Sequence, residues 1–251
     1  MGYIGSSPEL NETVTTSQIV DSAVTTAKIN ADAITGAKIA DDAIDSEHYA
    51  NTSIDAGHLA SGVGVQGWVK ISKTTQTSDA TSIDFTSGID STYDLYMIAL
   101  TDVHLDSDDD GGGFDFRMRF YGTTVDGAGW LGEEGTPQSE YHYHSQSSHT
   151  GNGNYEALQA DDGTYMRLIN TQGAATYESL SGTVFIPSPS TTDNRKYAWW
   201  TFVGMRDNHS FNMGRGVGGH DACTSAITGV RFFPHTKHIE KGIFTLYGLA
   251  N

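Results

Sequence analysis

A ten-residue repeat at the start of the chain limits what its first quarter can fold into. Five decapeptides follow one another over residues 14–63 without an insertion. Position one is aliphatic in every unit: Val14, Val24, Ile34, Ile44 and Ile54. Position six is also apolar: Ile19, Ile29, Ile39, Tyr49 and Leu59. Position five is polar and long or ringed: Gln18, Lys28, Lys38, His48 and His58. The structure of this segment must therefore repeat every ten residues.

This period fits neither a helix nor a continuous strand. On an α-helix, five residues advance about 500° and ten advance about 1000°, so the two apolar positions form no stripe. Heptad and eleven-residue coiled coils are excluded for the same reason. In a strand, a spacing of five places the two apolar positions on opposite faces. We expect each repeat to be a short extended piece, a turn and another short extended piece, with Thr, Asp, Gly, Ser and Asn in the turns.

One copy of this segment has too little apolar surface to fold alone. Each repeat offers two sizeable apolar side chains, whereas ordering one residue costs about 1–2 kcal/mol. Three chains around a shared axis would bury positions one and six, and closed symmetry is usual when identical chains meet. We predict a homotrimeric β-fibre whose oligomer interface is made by the ten residues at positions one and six. A solenoid, which lacks recognisable caps here, and a disordered linker are the alternatives.

The remaining three quarters of the chain indicate a β-domain. Short apolar or alternating runs are separated by turn-forming clusters, and 10% of the residues are aromatic. The alternation is strict over residues 114–120, which places Phe114, Phe116, Met118 and Phe120 on one face. The runs lie at 68–71, 93–105, 114–121, 165–169, 183–186, 197–205, 228–233 and 243–249. We predict an all-β chain, with a short trimeric stalk over 14–63 and a β-sandwich (jelly-roll-like) head domain over 64–251.

The net charge and the distribution of apolar residues limit which partners the chain is expected to bind. Lys and Arg total 14 against 31 Asp and Glu, which gives a net charge of -17. A nucleic-acid partner is not expected, because such binding depends on clustered cations. Docking on an anionic polysaccharide is disfavoured unless cations bridge the two. Membrane insertion is not expected, because the chain has no run of eighteen apolar residues. Cys223 is the single cysteine, so no disulfide forms within one chain.

The repeats resemble a known class of proteins. The phrases A-[IV]-T-x-A-K-I and A-I-D-S-E-H-Y resemble the proximal repeats of tail-fibre and related virion proteins of marine bacteriophages. Residues 1–5 resemble the short attachment segment of such proteins, and residues 82–89 and 242–249 resemble strands of their C-terminal β-domain. The resemblance implies a virion attachment segment over 1–13 and contact with other virion proteins through the N-terminus.

The same resemblance implies a function. It implies a homotrimeric tail fibre or spike, made in the host bacterial cytoplasm and located in the virion, that binds a glycan or protein on the host surface. A capsid-decorating head fibre or adaptor is the alternative. The resemblance carries over no catalytic residue, so we do not expect an enzyme. The rival is a polysaccharide-degrading tail protein, since acidic residues are plentiful enough to supply a glycosidase pair.

Two motifs could hold a metal ion, and no other cofactor is expected. Asp106, Asp108 and Asp110 match the start of a calcium loop, followed by Gly111. Arg117 occupies the position where such a loop needs a bidentate Glu, so an EF-hand is excluded. A looser calcium site would use Asp115. His142 and His144 form an H-x-H pair in a predicted strand, which puts both rings on one face, as a shared transition-metal site in a trimer would require.

Two further sets of residues carry side chains that are suited to binding or catalysis. Trp130, Tyr141 and Tyr143 are the candidates for receptor binding, because exposed aromatic rings suit packing against sugars. His220, Asp221 and Cys223 lie within four residues of each other. Sequence proximity does not supply the geometry of a nucleophilic site, so a turn is the better interpretation and no catalytic residue is predicted.

Overall fold

The chain divides into two compact units, residues 1–60 and 61–251. The computed structural model describes residues 17, 19–41, 43–50, 53–54, 67–106, 114–124, 127–132, 141–150, 155–206 and 210–250. No helix within these ranges has the length and hydrophobicity needed to cross a membrane.

Each described repeat of the first unit contains two turns joined by extended residues. A 3₁₀ turn occupies positions three to five, at Thr26–Lys28, Gly36–Lys38 and Ser46–His48. The residues that flank each of these turns have extended backbones. In the second turn, the amide of Ala33 donates to the carbonyl of Asn30 at 3.1 Å. Asp32, at position nine, has φ of 61° and so supplies the left-handed residue of that turn. Turns and extended pieces alternate as predicted, but each described repeat has two turns where one was expected.

The polar side chain at position five makes a hydrogen-bonding contact in three successive repeats. Lys28 Nζ donates to the carbonyl of Ala23 at 2.7 Å, and Lys38 Nζ donates to that of Ala33 at 2.6 Å. In the fourth repeat His48 replaces the lysine, and its Nδ1 lies 2.8 Å from Asp45 Oδ1. In these three repeats, the side chain at position five therefore reaches a backbone carbonyl or a side chain of a turn.

The described repeats differ from the predicted β stalk. They contain no β-strand, because two turns in ten residues leave too few consecutive extended residues to pair in a ladder. The apolar side chains at positions one and six are between 39% and 57% exposed in the single chain. These residues are Ile19, Val24, Ile29, Ile34, Ile39, Ile44, Tyr49 and Ile54. Val14 and Leu59 lie outside the described residues.

The second unit is built from antiparallel strands, as the runs of apolar and alternating residues predicted. Its strands are β1 (Trp68–Gln76), β2 (Ile83–Phe85), β3 (Leu95–Leu105), β4 (Phe114–Thr124), β5 (Gly127–Trp130), β6 (Tyr141–His149), β7 (Tyr155–Gly163), β8 (Met166–Gln172), β9 (Leu180–Pro187), β10 (Lys196–Met205), β11 (Phe211–His220), β12 (Gly229–Pro234) and β13 (Ile239–Leu249). The all-β prediction is confirmed.

The strands form two sheets. The larger sheet has eight strands in the order β1–β13–β3–β9–β10–β11–β6–β7. The smaller sheet has five strands, in which β2–β12–β4–β5 are neighbours and β8 also pairs with β4. Phe116 lies between the sheets, with its ring centroid 6.4 Å from Phe202 of β10 and stacked 6.2 Å from Phe232 of β12. Phe116, Met118 and Phe120 are fully buried, as the alternation in β4 predicted, whereas Phe114 is partly buried.

Glycines on the inner face of β11 let its large neighbours approach. Gly216 lies beside Trp200 of β10 and Ser145 of β6, and a Cβ there would lie 2.7 Å from Trp200 Cζ2. A Cβ at Gly218 would lie 2.6 Å from Tyr143 Cβ, and one at Gly214 would lie 2.9 Å from the carbonyl oxygen of Leu168 in β8. The missing side chains therefore make room for the rings of the larger sheet and for strand β8.

Candidate functional site

The outer face of the eight-stranded sheet, opposite the smaller sheet, carries apolar side chains where a solvated face usually carries polar ones. In β10 each odd position from Tyr197 to Val203 is exposed, and the intervening Ala198, Trp200 and Phe202 are buried. Seven large apolar residues on this face are between 37% and 65% exposed: Trp68, Tyr197, Trp199, Val203, Phe211, Met213 and Val217. An exposed apolar face of this kind is typical of an interaction surface.

Three aromatic rings on this face form a continuous aromatic strip, made of Trp68, Phe185 and Trp199. The rings of Trp199 and Phe185 are stacked, with centroids 5.3 Å apart and planes at 11°. The ring of Trp68 lies 5.9 Å from Phe185. Trp199 is still 38% exposed, so Phe185 fixes the orientation of the indole without covering it.

A cleft of about 310 Å³ lies at the Tyr197 end of this face, and we call it the first cleft. Its polar groups meet at Asp221, whose Oδ2 lies 3.6 Å from His142 Nε2 and 3.7 Å from Arg195 Nη1. These separations exceed a normal hydrogen bond, and all three side chains are at least 41% exposed. Because these contacts with Asp221 are long, the guanidinium of Arg195 and the imidazole of His142 could exchange them for contacts with a ligand.

The wall of the first cleft is held by a buried lysine. Lys196 is 2% exposed, and its Nζ donates to the carbonyls of Thr191 and Asn194 at 2.6 Å and 2.7 Å. Burial lowers the pKa of Lys196 from its ordinary value. Because these bonds tie the preceding loop to the start of β10, they fix the backbone from which Arg195 and Tyr197 project.

His220 lines the same cleft from inside the domain. The residue is 1% exposed, and neither ring nitrogen has a hydrogen-bond partner among the described residues. The ring packs edge-on against Tyr141 at 4.8 Å. Burial lowers the pKa of His220 to about 4, so its imidazole is neutral at pH 7. A buried polar ring without a protein partner is uncommon and often marks a place where a ligand or a water molecule bonds.

A second cleft, of about 440 Å³, lies on the other side of Trp199. It is lined by His144, Gln146, Thr201, Arg215 and Val217, with Trp200 and Gly216 beneath them. Arg215 Nη2 donates to Gln146 Oε1 at 3.0 Å across the β11–β6 pair. The two clefts therefore flank the exposed indole. The first presents Arg195 with His142 and His220, and the second presents Arg215 with His144.

Two of the three predicted receptor-binding residues are buried. Tyr141 is fully buried and accepts a hydrogen bond from the amide of Phe120 at 2.7 Å; Tyr143 is 8% exposed. Both lie on the inner face of β6, so the prediction that their rings meet a receptor is corrected. Trp130 is partly buried, packs edge-on against Tyr121 at 5.2 Å and is covered by the guanidinium of Arg231 at 4.4 Å.

Of the predicted calcium ligands, the structure describes Asp106 and Asp115, and the carboxylates of both are engaged by protein groups. The Oδ1 of Asp106 accepts from the amide of His238 at 2.9 Å, and its Oδ2 lies 3.1 Å from His238 Nδ1. Asp115 is buried between two guanidinium groups, those of Arg117 and Arg167, at 3.2 Å and 3.0 Å. Asp108 and Asp110 lie outside the described residues. The described part of the chain contains no group of three or more His, Cys, Asp or Glu side chains that could hold a metal ion.

The H-x-H pair lies on one face of a strand, as predicted. His142 and His144 both lie on the outer face of β6, between the inward-facing Tyr141, Tyr143 and Ser145. The first lines the first cleft and the second lines the second cleft. The two imidazoles therefore belong to two different clefts of the outer face.

The residues of the G-H-D-A-C segment point in different directions. Cys223 is buried, and its Sγ contacts the carbonyl oxygens of Ser225 and Thr123 at 3.6 Å and 4.0 Å. Burial raises the pKa of the Cys223 thiol, which disfavours the reactive thiolate. His220 faces the first cleft without a bonded partner among the described residues, and Asp221 faces solvent with Arg195.

Four residues of this surface were not predicted from the sequence as functional: Tyr197, Trp199, Arg195 and Arg215. A signal was present in strand β10, whose sequence is apolar at the outward as well as the inward positions. A strand of an antiparallel sheet that is apolar on both faces is either covered on both sides or exposes an interaction surface.

No family model, curated protein or solved structure matches this chain.

Proposed function

We propose that this chain is a structural virion fibre protein, a phage tail fibre or spike, that mediates adhesion to the surface of a host cell. In this proposal, residues 14–63 form a trimeric stalk, and the β-domain is a jelly-roll-like head that presents the binding surface. Residues 1–13 attach the fibre to other virion proteins. The repeat phrases that resemble those of phage fibres support this assignment.

One observation carries the proposal: the repeats expose their apolar residues in a single chain. Eight aliphatic or aromatic side chains, at positions one and six, are 39–57% exposed, while the repeat backbone is regular. A regular backbone with unburied apolar positions is expected of a segment that completes its core with other copies. The β-domain, in contrast, has a closed core of its own.

A trimeric fibre also gives adhesion a physical advantage. Three head domains on one fibre would multiply weak contacts, because the second and third contacts form at a high effective concentration. The exposed outer face of the larger sheet is the surface that this proposal assigns to contact with the host.

The test measures the number of chains per particle, the location of the protein on the virion and its effect on adsorption to host cells. Native mass spectrometry of the full chain should give about three chains per particle. Antibodies raised against the β-domain should label the tail region of intact virions and should block adsorption to host cells. A monomer in solution, or virions without the antigen, would overturn the proposal. Label on the capsid with unchanged adsorption would favour the capsid-decorating alternative. Release of sugar fragments from host polysaccharide would favour the enzymatic rival.

A further inference from the structure

The two clefts and the indole between them form one surface along three strands. β6, β11 and β10 are neighbours, and their outer residues are paired in register. Gly219 lies opposite Tyr197, Val217 opposite Trp199, and Arg215 opposite Thr201. Successive outer positions of a strand are about 7 Å apart, so the two clefts are separated by about 14 Å. A ligand that reaches both clefts across Trp199 must be an extended chain.

The charges on this surface are the reverse of those on the whole protein. The solvent-accessible charged side chains that line the two clefts are two cations, Arg195 and Arg215, and one carboxylate, Asp221, because the buried ammonium of Lys196 is bonded to the preceding loop. The whole chain has only 14 Lys and Arg against 31 Asp and Glu. Long-range repulsion of an anion is screened beyond about 8 Å at physiological salt, so the local cations decide whether an anionic chain can dock.

We propose that the outer face of β6, β11 and β10 binds a carboxylate-bearing polysaccharide, which lies across Trp199 from the first cleft to the second. The C–H face of one sugar ring packs on the indole, and Tyr197 provides a second aromatic surface in the first cleft. Arg195 and Arg215 pair with carboxylates on either side of the indole. This inference deepens the proposed adhesive function and rests on it, because it names the chemical class of the receptor.

The geometry favours a polysaccharide over other occupants. A polar cleft that contains an arginine adjoins the exposed indole on each side, so charged and apolar contacts alternate along this surface as they do along an acidic polysaccharide. Paired aromatic and arginine side chains bind both the apolar and the charged parts of an acidic sugar. The pre-ordered parts of the site are the stack on Phe185 and the loop held by Lys196. The unpartnered ring of buried His220 offers a further hydrogen bond to a group that enters the first cleft.

The test uses the full chain and a defined polymer, alginate oligosaccharides, whose sugars all carry carboxylates. Binding is measured by calorimetry and by tryptophan fluorescence. Matched probes are the same oligosaccharides with carboxyl groups reduced to alcohols, poly-L-glutamate of similar length and single-stranded oligothymidylate. We expect binding to alginate and at least tenfold weaker binding to each of the three other probes.

Four variants assign the binding to the proposed surface. Trp199→Ala should weaken alginate binding about tenfold, which corresponds to about 1.4 kcal/mol, because it removes the aromatic surface on which the sugar packs. Trp199→Phe should recover part of that loss. Arg215→Gln, which keeps the fold because the residue is exposed, should weaken binding to alginate and leave the reduced polymer unaffected. Val203→Ala is the control: it lies on the same face of the same strand, outside both clefts.

The outcomes separate this inference from the proposed function. Equal binding to poly-L-glutamate or oligothymidylate would overturn it, because charge alone would then explain the contact. A Trp199→Ala variant that changes the number of chains per particle and leaves alginate binding intact would overturn it in favour of contact between copies. If the chain does not bind alginate while antibodies against it label virions and block adsorption, that result overturns this inference and leaves the adhesive function standing. Binding to alginate by a chain absent from virions would support the site and remove the proposed function.

Discussion

The two units of this chain treat their apolar residues in opposite ways. In the described repeats, Ile34 is 56% exposed although its backbone is as regular as that of its neighbours. In the β-domain, residues such as Phe116 and Phe232 are fully buried between two sheets. The difference follows from the period of the sequence. Alternation every two residues directs side chains to one face of a strand, whereas a spacing of five with two turns gives a single chain no layer against which to close.

The largest expected effect comes from placing charges at the proposed interface between copies of the repeats. Replacing Ile29 and Ile39 together by Asp should reduce the native mass from about three chains to one, because each carboxylate would be buried among apolar side chains. The control is Asp at Thr25 and Thr35, the position that Asp45 occupies in the fourth repeat. All four tryptophans lie in residues 61–251, so their fluorescence should report an unchanged melt of the β-domain. An unchanged mass for the Ile29/Ile39 variant would refute an interface at position six.

A truncation in the β-domain core should act on folding instead of assembly. Phe116→Ala should lower the free energy of unfolding by about 3–5 kcal/mol, because it removes a fully buried ring and leaves a cavity. Urea unfolding followed by tryptophan fluorescence measures this loss. Ile34→Ala is the matched truncation in the repeats, and it should leave the same unfolding curve unchanged. A loss below about 1 kcal/mol for Phe116→Ala would contradict the packing between the sheets.

Much of this contrast could be predicted from the sequence, and the reason lies in local periodicity. The alternation over 114–120 identified Phe116, Met118 and Phe120 as inward-facing, and the five-residue spacing predicted the turns of the repeats. Periodicity does not report which sheet covers which face. Tyr141 and Tyr143 were therefore placed on a receptor surface although they face the core, and Trp199 and Tyr197 were missed although they are exposed. The clefts depend on the pairing of β10 with β11 and β6, which is a long-range contact.

Overpacking the glycine-lined strand should destabilise the β-domain by about 2–3 kcal/mol. In Gly216→Ala the new Cβ would lie 2.6 Å from Ser145 Cβ and 2.8 Å from the carbonyl oxygen of His144, and backbone cannot yield easily. The change is measured by urea unfolding with tryptophan fluorescence. Val217→Ala, the adjacent and exposed residue of β11, is the control and should change stability little. If Gly216→Ala unfolded at the same urea concentration as the parent chain, the close approach of β6 and β10 would be wrong.

The buried histidine of the β-domain should make its stability depend on pH. Burial lowers the pKa of His220 to about 4 in the folded chain, below its unfolded value. As pH falls from 7 to 5 the unfolded chain takes up this proton first, so the folded state loses about 2 kcal/mol. His220→Leu should remove that part of the pH dependence, measured as the difference in unfolding free energy between the two pH values. His48→Gln, at an exposed ring in the repeats, should keep it. The same slope in His220→Leu and in the parent chain would refute this account.

The smallest expected effect is that of Gly36→Ala in the repeats. It compares directly with Gly216→Ala, the same substitution in the β-domain. Gly36 begins a 3₁₀ turn, and a Cβ there would meet nothing within 4 Å in the single chain. Thr26 and Ser46 occupy the same position of the neighbouring repeats, so the backbone accepts a side chain. Gly36→Ala should therefore raise the stability of the repeats by about 0.4–1 kcal/mol, by restricting the unfolded chain. Thermal denaturation followed by far-UV circular dichroism measures the gain, and Ala27→Gly should act in the opposite direction. A loss of stability in Gly36→Ala would place this residue against another copy of the chain, so the sign of the change tests which side of the repeat faces the partner.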